Sequence, residues 1–407
     1  MAAAKGGRYL NTMCSAGCKN KAAGPAGAKM SGDRIYLDAN ATQPLRPAAR
    51  AAMLSALDVV GNASSVHLEG RQARSLIEEA REQVAALVGG APERLVFVSS
   101  ATEAANWALT PLNDAEELFV SAIEHPCVLA GGSFAPQRVT SVPVTAAGIV
   151  DLEKLRRMLG ACAEAGRRPV LALMLANNET GVLQPVAEAA AMVHQAGGRL
   201  ICDAVQAAGR IPVSMTGLGA DLLFLSSHKL GGPHGAGALL AAREEDFPSP
   251  LVKGGGQEKR RRAGTENMLA IVGFGVAAHE ARHHLDERDQ MAALRDRLQA
   301  AIRAFTPGAI LAGEDAERLP NTVLFAVPGL ASETAVIAFD LEGVGLSSGS
   351  ACSSGKVAQS HVLAAMGFPV GSGVRVSLPW NATDADVDRF LDVWRAIHHR
   401  MAPGRAA

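Results

Sequence analysis

A chain of 407 residues, 48% of them hydrophobic and 19% charged, is long enough for two or three domains and apolar enough for a large core. Its net charge of −1 argues against nucleic acid or an anionic membrane as the main partner, and no apolar run nears the roughly 18 residues that cross a bilayer. Six cysteines without a C-x-x-C pair make neither a disulfide scaffold nor a plain zinc site, so a reducing cytoplasm is expected, with any special cysteine reactive rather than structural.

Residues 1–32 hold Lys5, Arg8, Lys19, Lys21 and Lys29 and no acid, and read as a disordered extension; Met30 is a candidate start. From residue 70 the pattern alternates. GRQARSLIEEAREQVAALVG has helical spacing of Leu76, Ile77, Ala80, Val84 and Leu87, RLVFVSS reads as a short strand, and ATEAANWALTPL is helical again. ELFVSAIEH, PVLALMLANN, GRLICDAVQ and ADLLFLSSHK share one plan, an apolar run that ends in polar residues, with helical stretches such as PVAEAAAMVHQAGG between them. Continuous apolar strands alternating with helices predict a mainly parallel sheet covered on both faces. The ligand crevice of such a sheet lies beyond the carboxyl ends of its strands, where Ser99, His125, Asn178, Asp203 and Lys229 fall. After about residue 280, HHLDERDQMAALRDRLQAAIRAF reads as one long helix with Met291, Leu294, Leu298 and Ile302 on one side. Shorter strands follow at NTVLFAVPG, near GVGLSSGSACSSG and at GVRVSLP, then the helical ADVDRFLDVWRAIHHRM: a second, smaller α+β domain.

The stretch FLSSHKLGGPHGAG delivers Lys229 from a strand into a glycine-rich turn. It reads as a surface lysine or as one held to form a Schiff base with a carbonyl cofactor. Ser99, Ser100 and Thr102 stand where SSATEAANWAL turns from strand to helix, which makes either a phosphate site or an ordinary N-cap with Glu103 in the first turn. Asp203 closes a buried strand and needs a cationic partner: a protonated pyridine nitrogen, a buried salt bridge, or helix N–H groups. Gln206 is placed to reach the same ring. NNETG, from Asn177 to Gly181, puts an amide at a strand end or makes a turn; His125 stacks on a ring, moves a proton, or is a satisfied polar residue.

These stretches, together with IYLDANAT, GNASSVHLEGRQAR, IEHPCVL, CDAVQAAG, GGGQEKRRRAGTEN, LSSGSACSSG and GVRVSL, give the chain its resemblance. Over about residues 33 to 395 it resembles the class V aminotransferase group of pyridoxal-phosphate enzymes, and within it the NifS/IscS-like cysteine desulfurases. The resemblance implies an α/β fold of the fold type I transferases: a mainly parallel seven-stranded sheet with helices on both faces, plus a smaller α+β domain. It divides the chain into the extension at 1–32, a segment at 33–47 packing with the small domain, a large cofactor domain at 48–283 and a small domain at 284–407 that carries a catalytic cysteine.

Carried over residue by residue, it implies that Lys229 holds pyridoxal 5'-phosphate as a Schiff base, and that Ala101, Thr102, Ser226 and His228 bind the phosphate. Asp203 pairs with the pyridine nitrogen, Gln206 and Asn178 reach the phenolic oxygen, and His125 stacks on the ring. Thr265 reaches the phosphate in the neighbouring subunit, so a homodimer is implied. Arg375, with Asn178, binds the substrate carboxylate, for which a guanidinium fork is suited.

Cys352 lies in SSGSACSSG, a segment with no large side chain, and reads as an accessible thiol or as a cysteine in an ordinary exposed loop. The resemblance makes it the nucleophile that takes sulfur from L-cysteine as a persulfide and leaves alanine, and the SSGSAC form resembles enzymes that feed iron–sulfur assembly. A sulfur-acceptor protein such as an iron–sulfur scaffold is the implied partner. Cys352 is a possible ligand of a transferred iron–sulfur cluster; no resident metal is expected. Selenocysteine lyase or another class V reaction is the alternative. The sequence departs from the family pattern at Gln43, Ala63, Ser100, His234 and Pro379-Trp380.

Overall fold

The computed structural model describes residues 34–349, 359–369 and 373–401; the expected extension at 1–32 and Cys352 lie outside them. The chain opens with β1 (Ile35–Tyr36), α1 (Pro47–Ala56), α2 (Leu68–Leu87), β2 (Leu95–Val98), α3 (Ala101–Ala108), β3 (Glu116–Ser121) and α4 (Pro126–Leu129). It continues through β4 (Val139–Val142), α5 (Leu152–Glu164), β5 (Arg168–Met174), α6 (Val186–Gln195), β6 (Arg199–Asp203), α7 (Met215–Leu218), β7 (Leu222–Ser226) and β8 (Gly237–Ala241). After α8 (Met268–His283) and α9 (Arg288–Phe305) come β9 (Ile310–Leu311), β10 (Thr322–Ala326), α10 (Ser332–Leu341), β11 (Val344–Gly345), β12 (Ser347–Ser348), α11 (His361–Ala365), β13 (Val374–Ser377) and α12 (Asp384–Met401).

The expected seven-stranded sheet is present, in the order β2-β8-β7-β6-β5-β3-β4. From β4 to β7 neighbours are parallel, and β8 runs antiparallel to both β7 and β2. Alternate side chains of β7 enter two different cores: Leu223 and Leu225 pack with Val84, Leu171 and Phe274 on one face, and Leu222 and Phe224 with Trp107, Leu118 and Ile201 on the other. Burial on both faces is why these strands read as unbroken apolar runs. The strand β8 has no such signature, because it opens in the glycines of GAG.

A four-stranded antiparallel sheet, β12-β13-β10-β9, packs through Val323, Phe325 and Val376 against Leu298, Ile302, Phe339, Phe390 and Trp394. The first strand, β1, pairs in parallel with β11, and Asp38 bridges to Ser377. The helix expected from His283 onward begins only at Arg288, after a 3-10 turn at His284–Glu287. His283 and His284 belong to the end of α8: their Nδ1 atoms bond the carbonyls of His279 and Glu280, one turn back, at 2.8 and 2.7 Å. Among the described residues no helix is long and apolar enough to cross a membrane.

Candidate active site

Beyond the carboxyl ends of β5, β6 and β7 lies a cavity of about 210 Å³ lined by Lys229, Asp203, His125, Asn178, Gln206, Ser226 and His228, with Ser100, Ala101 and Thr102 at one end. The fold therefore brings together nine of the eleven residues assigned to the cofactor or to catalysis, Ala101 and Thr102 included; Thr265 is exposed and does not line this cavity, and Cys352 lies outside the described residues.

Lys229 sits in a 3-10 turn, Ser227–Lys229, where β7 reverses into β8. The small residues after it let another segment approach. Gly231 has φ +84°, and a Cβ there would stand 2.8 Å from Arg46 Cγ and 3.0 Å from the Pro44 carbonyl oxygen. Through that gap Gln43 N–H donates to the His228 carbonyl at 2.9 Å and Arg46 N–H to the Gly231 carbonyl at 2.8 Å. The same segment meets the lysine: Nζ donates to the carbonyls of Asn40 and Ala41 at 2.5 and 2.8 Å.

Asp203, the last residue of β6, accepts the Val205 N–H at 2.9 Å. Burial pushes its carboxyl up to about 6, while Lys229 pulls the other way. Behind it, the fully buried Glu124 accepts the Met174 N–H at 2.7 Å with one oxygen, and its other oxygen has no hydrogen-bond partner. Burial, then Asp203, raises its pKa well above the usual carboxylate range, and of the two acids it is Asp203 that lines the cavity.

His125 caps α4, its Nδ1 accepting the Cys127 N–H at 3.2 Å and lying 3.0 Å from Cys127 Sγ. That leaves the proton of the neutral ring on Nε2. Burial, then Lys229, lowers its pKa to about 4. Cys127 is itself pushed up to about 12 by burial, so its thiol keeps its proton. His228 is lowered to about 4 by the same two causes and lies 3.2 Å from Thr42 Oγ1.

At α3 the N-cap reading of SSATE is the one the hydrogen bonds show. Ser100 Oγ accepts the Glu103 N–H at 3.2 Å as an N-cap, and the helix start lines the cavity. Ser99 is turned away: its N–H and hydroxyl both go to Glu103 Oε2, at 2.7 and 2.5 Å. Gly237 of β8 permits the approach, since a Cβ there would come within 2.6 Å of Ser100 C.

Gln206 Nε2 donates to the Asn40 carbonyl at 3.0 Å, and its Oε1 accepts from Arg210. Arg375 is 1% exposed; it pairs with Asp38 at 2.8 Å and donates to the Asn178 carbonyl at 3.0 Å, and its Nε has no hydrogen-bond partner. Asn40, given no role from the sequence, joins these parts: its Nδ2 donates to the Asn178 carbonyl at 3.1 Å and to Thr322 Oγ1 at 3.0 Å. Its signal in the sequence is its place in IYLDANAT. Cys127 and Glu124 also went unassigned; both flank His125 in IEHPCVL.

The residues fit pyridoxal phosphate. A buried carboxyl of raised pKa suits a ring nitrogen that brings its own proton, open helix N–H groups beside Thr102 and Ser226 suit a phosphate, and an amine faces both. Residues 35–390 match the aminotransferase class-V family. The chain is 41% identical to a cysteine desulfurase of Gluconacetobacter diazotrophicus, over 89% of this chain and 93% of that protein. It is 39% identical to a cysteine desulfurase of Sinorhizobium fredii, over 91% and 98%. The solved NifS-like protein of Rickettsia africae superposes with a TM-score of 0.81 at 34% identity, over 90% of this chain and 99% of that one. The chain thus belongs to the aminotransferase class-V family, in its branch of NifS-like cysteine desulfurases.

Proposed function

We propose that this protein is a pyridoxal-phosphate-dependent L-cysteine desulfurase that works as a homodimer and passes sulfur from Cys352 to an acceptor protein. The observation that carries the reading is the meeting of Lys229, Asp203 and His125 in one cavity with the start of α3. When bound, the cofactor supplies an electron sink that weakens the bonds at the substrate's α- and β-carbons.

The chain's own groups do the rest. Ser226, His228 and the N–H groups near Ala101 and Thr102 hold the phosphate, joined by Thr265 of the other subunit. Asp203 would pair with the protonated ring nitrogen, and burial raises the pKa of Glu124 behind it, which disfavours a second negative charge beside that pair. Neutral His125 covers the ring, with its Nε2 proton facing away from Cys127. Asn178 and Gln206 orient the ring oxygen. Arg375, whose Nε is the guanidinium donor left without a partner, receives the substrate carboxylate together with Asn178. Lys229 Nζ holds and moves the proton at the substrate carbon, steadied by the carbonyls of Asn40 and Ala41. Cys352 attacks the substrate sulfur as a thiolate, the carbon–sulfur bond breaks toward carbon, and alanine leaves while the persulfide stays on Cys352.

Borohydride reduction followed by peptide mapping tests the reading: the pyridoxyl group is expected on Lys229, and cysteine is expected to yield alanine in step with a persulfide on Cys352. A pyridoxyl group on another lysine, or protein that takes up no cofactor, would overturn it.

A further inference from the structure

Between β8 and α8 three successive residues other than glycine take left-handed backbone: Glu258, Lys259 and Arg260, with φ of 46°, 55° and 68°. Among the described residues no other non-glycine position has positive φ. Each sets a Cβ against its own backbone, and such a run persists only where the surroundings over-determine it.

What holds it is a buried ion pair at the edge of the large sheet. Glu258 Oε2 accepts the Phe97 N–H at 2.8 Å, and Arg81 grips both oxygens at 2.8 and 2.7 Å. Arg81 Nη1 also donates to the Leu95 carbonyl at 2.8 Å. Because β2 is the outermost strand, the Phe97 N–H and Leu95 carbonyl would otherwise be open edge groups; the carboxylate and guanidinium stand in for the missing strand. Both side chains are more than nine-tenths buried.

The residues that follow are pinned as well. Arg261 lies 4.2 Å over the Phe247 ring and pairs with Glu244. Arg262 Nε donates at 2.9 Å to Glu103, in the first turn of α3. Only then does the chain reach Gly264, at φ +102°, and the exposed Thr265. A strained turn, locked at its root and tied to the helix that opens the cavity, ends in an unburied hydroxyl.

We propose that Glu258 is a positioning residue for the other subunit's cofactor site: docked on β2 through Arg81, it sets the left-handed turn and so the direction in which Thr265 is presented across the dimer. This rests on the shared-site reading above. It predicts that damage to Glu258 is felt in trans.

Heterodimers separate the subunits. One subunit carries Lys229→Ala, so that the single lysine site lies in its partner, and Glu258→Gln is placed in either one. Pyridoxal phosphate is titrated into the single site and read by absorbance. With Glu258→Gln in the Lys229→Ala subunit, affinity is expected to fall about tenfold or more, as for a misplaced binding group, and with it in the lysine-bearing subunit to stay within about twofold of the parent. Equal loss in both arrangements, or the reverse pattern, overturns the proposal. Arg81→Lys, which keeps the charge and loses the fork, is expected to repeat the trans pattern more weakly and serves if Glu258→Gln does not fold. Thr265→Ala in the same two arrangements tests the shared site alone. If Thr265 acts only within its own subunit, the dimeric reading falls; if Thr265 acts in trans and Glu258 does not, only the positioning role falls.

Discussion

The backbone N–H of Trp380 donates to Gln43 Oε1 at 3.1 Å, so two of the positions where this sequence departs from its family pattern touch across 337 residues. The contact is reinforced: Trp380 Nε1 donates to the Pro44 carbonyl at 2.9 Å, and the Arg46 guanidinium lies 4.8 Å over its ring. Arg46 in turn donates to the Leu230 carbonyl at 2.9 Å, beside Lys229. The departures form one paired feature that ties the exit of β13 to the turn bearing the lysine. Gln43→Ala, which removes the acceptor of the Trp380 N–H, and Trp380→Ala, which keeps that N–H but loses the ring over Pro44 and Arg46, are expected to cost about 1–3 kcal/mol each. Urea unfolding of the two variants checks this, and wild-type stability in either would show its contact to be incidental.

Acid should act on the two cavity histidines. Both are held near 4 against an ordinary 6.5, so the folded protein refuses protons that the unfolded chain accepts. The stability tied to them is complete above about pH 6.5 and is lost as the pH falls toward 4. Asp203 and Glu179, raised to about 6 and about 7, have the opposite sign: they favour the folded state as the pH falls through those values. Replacing His125 and His228 by Asn in the cofactor-free protein should therefore remove the acid-destabilising share of these two rings and leave that of the raised carboxyls in place. Between pH 7 and pH 5 the variant should gain on wild type by about 1 kcal/mol for each ring, allowing for partial solvent screening. Urea unfolding at the two pH values reads the difference; a gap that does not change with pH rejects the assignment.

Gly237→Ala tests the contact between the lysine hairpin and α3. The added Cβ would stand 2.6 Å from Ser100 C and 3.0 Å from both Ala101 N and the Leu225 carbonyl oxygen, all backbone atoms that cannot step aside. Stability should fall by about 1–3 kcal/mol, and cofactor affinity with it, because the helix start is displaced. Thermal melting and a cofactor titration check both; a variant that melts normally and binds normally would mean the two elements can separate freely.

Removing the thiol should split the two halves of the chemistry. Cys352→Ser is expected to keep the cofactor on Lys229 and to bind L-cysteine, with alanine formation from cysteine lowered on the order of 10³-fold, as for other lost nucleophiles. Alanine release from L-cysteine and from L-selenocysteine, with mass spectrometry for a persulfide, reads the outcome. Undiminished cysteine turnover would remove Cys352 from the mechanism. Activity on selenocysteine alone in wild type would make the protein a selenocysteine lyase.

Legibility followed the range of the interactions. The large sheet could be read because β5, β6 and β7 are buried on both faces and end in polar residues, a pattern contained within each strand. Lys229 and Asp203 stood out for the same reason. Asn40 did not, because its partners Asn178, Thr322 and Ser377 are 138, 282 and 337 residues away and nothing local announces them. Glu258 was silent too: a charged residue in a run of charges looks solvated until the edge of β2 and Arg81 are placed beside it. The break before α9 was hidden because two histidines continue a helical pattern while their rings close the preceding helix.

The segment from Ile35 to Arg46 binds what the ribosome makes last. β1 waits for β11, Asp38 for Arg375 and the Asn40 N–H for the Ser377 hydroxyl, while Asn40 and Ala41 supply the carbonyls that hold Lys229. Synthesis makes this segment first and its partners on β11 and β13 last, so the large sheet can form while the segment is held only at the lysine turn, through Gln43 and Arg46. A chain cut short before β13 has no Arg375 and no Ser377 to anchor this segment, however well its sheet has folded.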